Sequence, residues 1–340
     1  MSSSSSTGFN EVVSQSVMEL VDAYVRFSVR RGFSTYHVDA LRGVNFGIGK
    51  GEIVALIGES GSGKTTLGRV LVGLQPLTSG KVLYKGREVS KLKGKSYWEY
   101  RRSVQMIQQD PYTALNPSHR VADSLTAPMM RWKLVNSKSE ALRRAERLLE
   151  TVGLTPGSEY LNKYPHQLSG GQKQRVNIAR AVSVEPELIV LDEPVTMIDV
   201  SLRIGILDLL LELRGRLGTS YVFTTHDLAL ARYFLEKGGG GRVVVMYAGS
   251  VVEEGEGRDI IRSPLHPYTA TLLRVSAGLR PTPAAEDNRG RRPGPSWCRF
   301  APRCPYAVER CWVEEPRLRV VSHSHRAACH LAGTLDLRIQ

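Results

Sequence analysis

The residues Gly58-Glu-Ser-Gly-Ser-Gly-Lys64-Thr65 follow the pattern G-x-x-x-x-G-K-[ST], which wraps phosphate groups. Gly58, Gly61 and Gly63 let backbone N–H groups turn inward around phosphate oxygens, and Glu59, Ser60 and Ser62 complete the loop. The helix expected to begin there adds its positive N-terminal end. Lys64 is spaced to reach β- and γ-phosphates. Thr65 is spaced to ligate Mg²⁺, with Thr66 beside it. A second pair, Asp192-Glu193, closes the apolar run Leu188-Ile-Val-Leu191. An acid at such a strand end binds Mg²⁺ in nucleotide hydrolases, which suits Asp192. Glu193 is then the candidate general base for an attacking water. A third group, Ser169-Gly170-Gly171-Gln172, opens a helical stretch about 20 residues before Asp192. Helix-end N–H groups and a hydroxyl suit a further phosphate contact.

These groups need elements to hold them. Ile53–Ile57 is a short apolar run rich in β-branched residues and reads as a buried parallel strand. Leu188–Leu191 reads as a second and Tyr221–Thr225 as a third, the latter ending at His226. Strands separated by helical stretches argue for an α/β fold with a parallel sheet. Ligands then sit beyond the carboxyl ends of the strands, where all three carry their polar residues. Ser137–Val152 reads as an amphipathic helix with a capping pair at Ser137 and Glu140 and a stop at Gly153. Residues 110–180 are expected to form a helical subdomain inserted in this α/β core. Val243–Glu254 reads as further strand. Gly238–Gly241 is expected to be a flexible surface loop.

The chain has 340 residues, enough for one large domain and an appendage. No run of 18 apolar residues is present, so no span is expected, and the serine tract at the start lacks the marks of a secretory signal. The expected location is the cytosol, with residues 1–18 disordered. The net charge of +13 attracts phosphates of any kind without choosing among nucleotide, nucleic acid and anionic lipid. All four cysteines lie between Cys298 and Cys329, which does not resemble a disulfide framework.

With these motifs in place the sequence resembles, over residues 19–280, the nucleotide-binding subunits of ABC transporters. The resemblance implies a P-loop NTPase fold of ABC type and ATP hydrolysis with Mg²⁺. It also implies a head-to-tail dimer with a second ABC ATPase subunit, the same chain or a related one. ATP is then sandwiched between the phosphate loop of one copy and Ser169, Gly170, Gly171 and Gln172 of the other. Gln109 matches the glutamine that senses Mg²⁺ and faces the permease, with Gln108 next to it. Asp192 and Glu193 match the metal-binding and catalytic acids. Asp199 matches the D-loop aspartate, although Val195-Thr-Met-Ile-Asp199 replaces the usual Ser-Ala-Leu-Asp form. His226 matches the switch histidine on the γ-phosphate. The adenine-stacking aromatic falls on Phe27, with Tyr36 the rival.

Gln109-Asp-Pro-Tyr-Thr-Ala-Leu-Asn-Pro117 and His266-Pro-Tyr-Thr269 resemble the oligopeptide and dipeptide importers. That branch implies two integral-membrane permeases, an extracytoplasmic substrate-binding protein and a peripheral place on the cytoplasmic face of the membrane. Some members import oligosaccharides. A soluble ABC ATPase acting on nucleic acid or ribosomes is the reading from another class; such proteins usually carry two cassettes or a long coiled-coil insertion, and no nucleic-acid partner is expected here. After a linker at 281–297, the tail 298–340 holds Cys298, Cys304, Cys311 and Cys329 as C-x5-C-x6-C-x17-C. In some members of the branch four such cysteines hold a [4Fe–4S] cluster. Zinc, with His323, His325 or His330 completing a site, and no metal at all are the alternatives; no C-x2-C pair is present.

Overall fold

The computed structural model describes residues 16–32, 34–284 and 296–338. In chain order the strands are β1 (Ser16–Arg31), β2 (Ser34–Gly49), β3 (Ile53–Ile57), β4 (Ser79–Tyr84), β5 (Arg87–Glu88) and β6 (Val104–Ile107). They continue as β7 (Leu188–Asp192), β8 (Ser220–Thr225), β9 (Arg242–Tyr247), β10 (Ser250–Glu256), β11 (Arg319–Ser322) and β12 (His325–Ala327). The larger sheet has the order β11-β12-β10-β9-β3-β8-β7-β6, and the smaller has β2-β1-β4-β5.

The expected parallel sheet is the middle of the larger one. β3 runs parallel to both β8 and β9, and β7 runs parallel to β8 and β6. Its residues are apolar on both faces because both faces are covered. Ile53, Ala55 and Ile57 point into a core shared with the helices between β6 and β7. Val54 and Leu56 point the other way, onto the helix Lys64–Leu71 and the inner face of the smaller sheet. The period of two in β3 thus divides one five-residue strand between two cores.

Between β6 and β7 the chain is helical, with Val121–Arg131, Lys138–Thr151 and Gly170–Val182 the longest pieces. The anticipated helix forms over Lys138–Thr151. Ser137 Oγ accepts from Glu140 N–H at 3.1 Å, and Ala141, Ala145 and Leu149 are fully buried. Glu140 reaches back to Asn136 N–H (2.8 Å) instead of to Ser137.

Three expectations change. Ser16–Met18 begin β1, paired with β2 and β4, and do not extend a disordered start; residues 1–15 lie outside the described residues. Val243–Glu254 is a hairpin, β9 and β10, turned by Ala248 and Gly249, both at positive φ (47° and 86°). Gly238–Gly241 ends a helix and is packed at its two outer residues, Gly238 and Gly241, while Gly239 and Gly240 are exposed. A Cβ at Gly238 would lie 2.4 Å from Ile53 Cδ1, and one at Gly241 would lie 2.5 Å from Ile53 O. Gly240 N–H closes the preceding helix on Leu235 O at 2.8 Å.

The tail joins the sheet. β12 pairs with β10 through Glu253↔Ala327 and Glu254↔Arg326. The carboxylate of fully buried Glu253 then accepts from Leu265 N–H (2.7 Å) and His266 N–H (3.0 Å) and bonds His325 Nε2 (2.7 Å). Of the linker expected at 281–297, residues 285–295 lie outside the described residues. Among the described residues no helix is long and apolar enough to cross a membrane.

Candidate functional site

The turn after β3 is built around small residues because the backbone passes close to its neighbours. A Cβ at Gly58 would sit 2.3 Å from Met246 O, and one at Gly63, where φ is 108°, would sit 2.5 Å from Ala40 O. No L side chain fits there without moving backbone. Ser62 N–H closes the loop on Glu59 O at 3.1 Å. The Lys64 ammonium is folded into the loop, donating to Gly58 O (2.7 Å) and Glu59 O (3.0 Å). Burial pushes its pKa below the usual lysine value, against the pull of Glu193, Asp192 and Glu59. Ser62 Oγ is buried and has no hydrogen-bond partner among the described residues. An orphaned hydroxyl, a buried ammonium and a helix start free of acids in its first turn fit an incoming polyphosphate. Ser60 and Gly61 are exposed at the crown of the loop, and Thr66 is half-buried behind it.

The acids meet this loop from β7. Asp192 Oδ1 accepts from Thr65 Oγ1 at 3.0 Å and from Thr224 Oγ1 at 2.9 Å. Burial raises its pKa, and the two hydroxyls work in the other direction. A buried carboxylate whose partners leave acceptor capacity, beside a threonine hydroxyl, is a donor set suited to a hard divalent cation.

Glu193, one residue on, is the centre of a converging network. Its backbone sits at φ 46°, uncommon for a residue with a side chain. That conformation is secured by its N–H, which bonds Thr224 Oγ1 (3.1 Å) and O (3.2 Å). Glu193 Oε1 meets His226 Nδ1 at 3.2 Å, and Oε2 accepts from Gln109 Nε2 (3.0 Å) and Thr196 Oγ1 (3.1 Å). The side chain is 12% exposed, so it is sheltered yet reachable. Gln108 is exposed, whereas Gln109 is on Glu193. Gln109 was expected at the Mg²⁺; here its hydrogen bond goes to Glu193, while Thr65 and Asp192 contact each other.

Thr196 and Thr224 were not singled out from sequence. Threonine at a strand end is too common to stand out, although Thr196 occupies the serine place of the usual Ser-Ala-Leu-Asp. The altered D-loop therefore keeps a hydroxyl on Glu193, and its Val195 and Ile198 go to the core.

Other expected residues lie elsewhere on the surface. Ser169 caps the helix Gly170–Val182 in a reciprocal pair with Gln172: Oγ accepts from Gln172 N–H at 3.3 Å, and Gln172 Oε1 accepts from Ser169 N–H at 3.1 Å. Ser169 is exposed, with Gly170 and Gly171 half-buried behind it. The same helix is tied to the acids by Gln174 Nε2, which donates to Pro194 O at 2.7 Å. Asp199 is exposed at the start of the helix Val200–Leu217, with Met197 (56%) and Val200 (73%) exposed on either side. Phe27 pairs with Val38 across the β1–β2 hairpin, and Tyr36 pairs with Val29. Phe27 is thus the nearer of the two, along the hairpin, to Ala40, whose carbonyl abuts Gly63.

The four cysteines all line one small pocket, together with His266, Phe300 and His330. Burial pushes Cys304 up to about 12 and Cys329 up to about 11, and it also raises Cys298. Among the described residues no group of three or more His, Cys, Asp or Glu is arranged to hold a metal ion, so the expected metal site is not preformed. Of the histidines weighed as zinc ligands, His325 is engaged by Glu253 and His330 by Glu314 O (3.0 Å).

A phosphate loop, a Thr–Asp pair and a networked glutamate at the carboxyl ends of parallel strands define a P-loop nucleoside-triphosphatase, and the helix opened by Ser169-Gly-Gly-Gln narrows it to the ABC class. The sequence profile of the ABC transporter family matches residues 41–196, and that of the oligopeptide/dipeptide transporter C-terminal region matches residues 252–311. The di/tripeptide transport ATP-binding protein DppF of Pseudomonas aeruginosa is 37% identical over 94% of this chain and 98% of its own. The oligopeptide transport ATP-binding protein OppF of Bacillus subtilis is 43% identical over 75% of this chain and 81% of its own. Among solved structures, the ATP-binding cassette MJ0796 in a dimeric post-hydrolysis state bound to ADP and Pi matches with a TM-score of 0.61 at 29% identity, over 71% of this chain and 99% of that one. The chain belongs to the ABC transporter family, in its oligopeptide/dipeptide branch, and is an ABC-type ATPase.

Proposed function

We propose that the chain is the ATP-hydrolysing subunit that energises import of oligopeptides or dipeptides across the cell membrane, lying peripherally on its cytoplasmic face. The observation that carries the chemistry is the Glu193 carboxylate held between His226, Gln109 and Thr196 beside the Asp192–Thr65 pair. Residues 19–280 form the catalytic unit, with 110–180 as its helical subdomain, 281–297 as linker and 298–340 as the cysteine-bearing extension.

ATP is the substrate. Backbone N–H groups of Gly61–Thr66 and the Lys64 ammonium hold its phosphates, and Phe27 stacks on its base. Thr65, Asp192 and Gln109 would hold Mg²⁺, which neutralises phosphate charge as the leaving group departs. Glu193 takes a proton from the attacking water as its oxygen bonds the γ-phosphorus and the bond to ADP breaks. His226 contacts the γ-phosphate and orients Glu193, while Gln109 and Thr196 fix the carboxylate. The exposed Ser169 and the half-buried Gly170, Gly171 and Gln172 behind it face a second ABC ATPase subunit across the nucleotide, with Asp199 between the two sites. Two permeases convert closure into alternating access for a substrate delivered by an extracytoplasmic binding protein. The relatives named for peptide transport support peptide over oligosaccharide. With its permeases and binding protein in vesicles, the ATPase should be stimulated severalfold by di- to oligopeptides and not by oligosaccharides; stimulation by oligosaccharides alone overturns the substrate assignment.

Convergence of all four cysteines on one pocket supports a [4Fe–4S] cluster on Cys298, Cys304, Cys311 and Cys329. Its role is structural or regulatory, since ATP hydrolysis needs no redox centre. Anaerobically purified protein should carry about four iron and four sulfide per chain with broad visible absorption. Zinc alone, or no metal, removes the cluster and leaves the ATPase intact.

A further inference from the structure

We infer that Arg303, in the cysteine-bearing tail, is a positioning residue of the phosphate loop: it neutralises Glu59 and thereby sets how tightly the nucleotide phosphates are held. This rests on Gly58–Thr65 being the phosphate-holding loop. The two residues are 244 apart in sequence, yet Arg303 Nη1 donates to Glu59 Oε2 and Nη2 to Oε1, each at 2.8 Å. A forked guanidinium–carboxylate pair fixes the orientation of both groups. The same loop residue is held a second time. Glu59 N–H donates to the hydroxyl of buried Tyr268 at 2.8 Å, and the Tyr268 ring packs on Tyr247 (4.6 Å) and Phe300 (5.5 Å). The Arg303 guanidinium lies over those two rings, at 5.8 and 5.7 Å. Phe300 stands between Cys298 and Cys304 in the chain and lines the cysteine pocket, so the tail is packed continuously onto the loop.

The pair is half-exposed, with side chains 48% and 41% accessible, and as a fastening between tail and core it is weak. Its consequence lies with a charged ligand. The Glu59 carbonyl already holds the Lys64 ammonium that is to meet the phosphates. An unpaired carboxylate on that residue would repel an incoming polyphosphate, and one locked to a guanidinium does not. A simple staple for the tail and a charge mask for the loop make different predictions when both partners are changed.

The test is equilibrium binding of the magnesium complex of adenylyl imidodiphosphate to the purified full chain. Arg303→Ala should weaken binding about tenfold and Arg303→Lys less, because lysine keeps the charge and loses the fork. Glu59→Gln should tighten binding, and the double variant should return to within about twofold of Glu59→Gln alone. Binding by Arg303→Ala within about twofold of the unaltered chain overturns the proposal, as does a double variant as weak as Arg303→Ala. If Arg303→Ala does not fold, Arg303→Lys and Glu59→Gln decide it, and weaker binding by Glu59→Gln contradicts the charge mask. No binding by the unaltered chain would instead overturn the reading of the loop, and the proposal with it.

Discussion

Replacing Glu193 by Gln should abolish ATP turnover, by about 10²- to 10⁴-fold, while ATP is still bound. The amide preserves shape, and it can still accept from Gln109 and Thr196 at one oxygen. What it loses is the ability to take a proton. Among the described residues the hydrogen bonds of the Glu193 carboxylate go to His226, Gln109 and Thr196 and not to Gly58–Thr65, so binding should survive and the two-subunit closed state should accumulate. Equilibrium ATP binding and phosphate release on the same preparation check both halves. Turnover near that of the unaltered chain would remove Glu193 as the base; lost binding would mean that it supports the fold of the site.

Replacing Lys64 by Ala should abolish turnover and binding together. Lys64 is 5% exposed and its ammonium donates to two loop carbonyls, so its removal takes away a phosphate contact and two fastenings of the loop. Hydrogen bonds to a charged group contribute about 1.5–3 kcal/mol each, which predicts ATP binding weaker by at least about tenfold to a hundredfold. Titration of the variant with ATP measures it. Retained tight binding would show that the backbone N–H groups alone hold the phosphates.

How much of this was legible in sequence differs by element. β3, β7 and β8 were readable because each is a short apolar run with its polar residues at one end. The helix at Lys138–Thr151 was readable from its stripe and from Ser137. The site was readable where a residue type is uncommon and its spacing strict, as in the phosphate loop, the acid pair and the Ser-Gly-Gly turn. Thr196 and Thr224 were not, because hydroxyls of that kind occur everywhere and their meaning comes from Glu193 lying between them. The smaller sheet was not foreseen either. β1 and β2 are long and carry polar residues on their outer faces, and the pairing of β1 with β4 is long-range. Gly238–Gly241 looked loose because glycine is permissive; at Gly238 and Gly241 it is required by close packing against Ile53. The placement of β11 and β12 on the edge of the core sheet, and of Arg303 on Glu59, depends on tertiary contacts with no local pattern.

The measurement that reaches the central claim most directly is phosphate release from MgATP by the chain with its permease partners, run beside the Glu193→Gln variant at verified ATP occupancy. Steady release by the unaltered chain, absent in the variant, is the predicted result. Equal release by both, or none from the unaltered chain, would contradict the account.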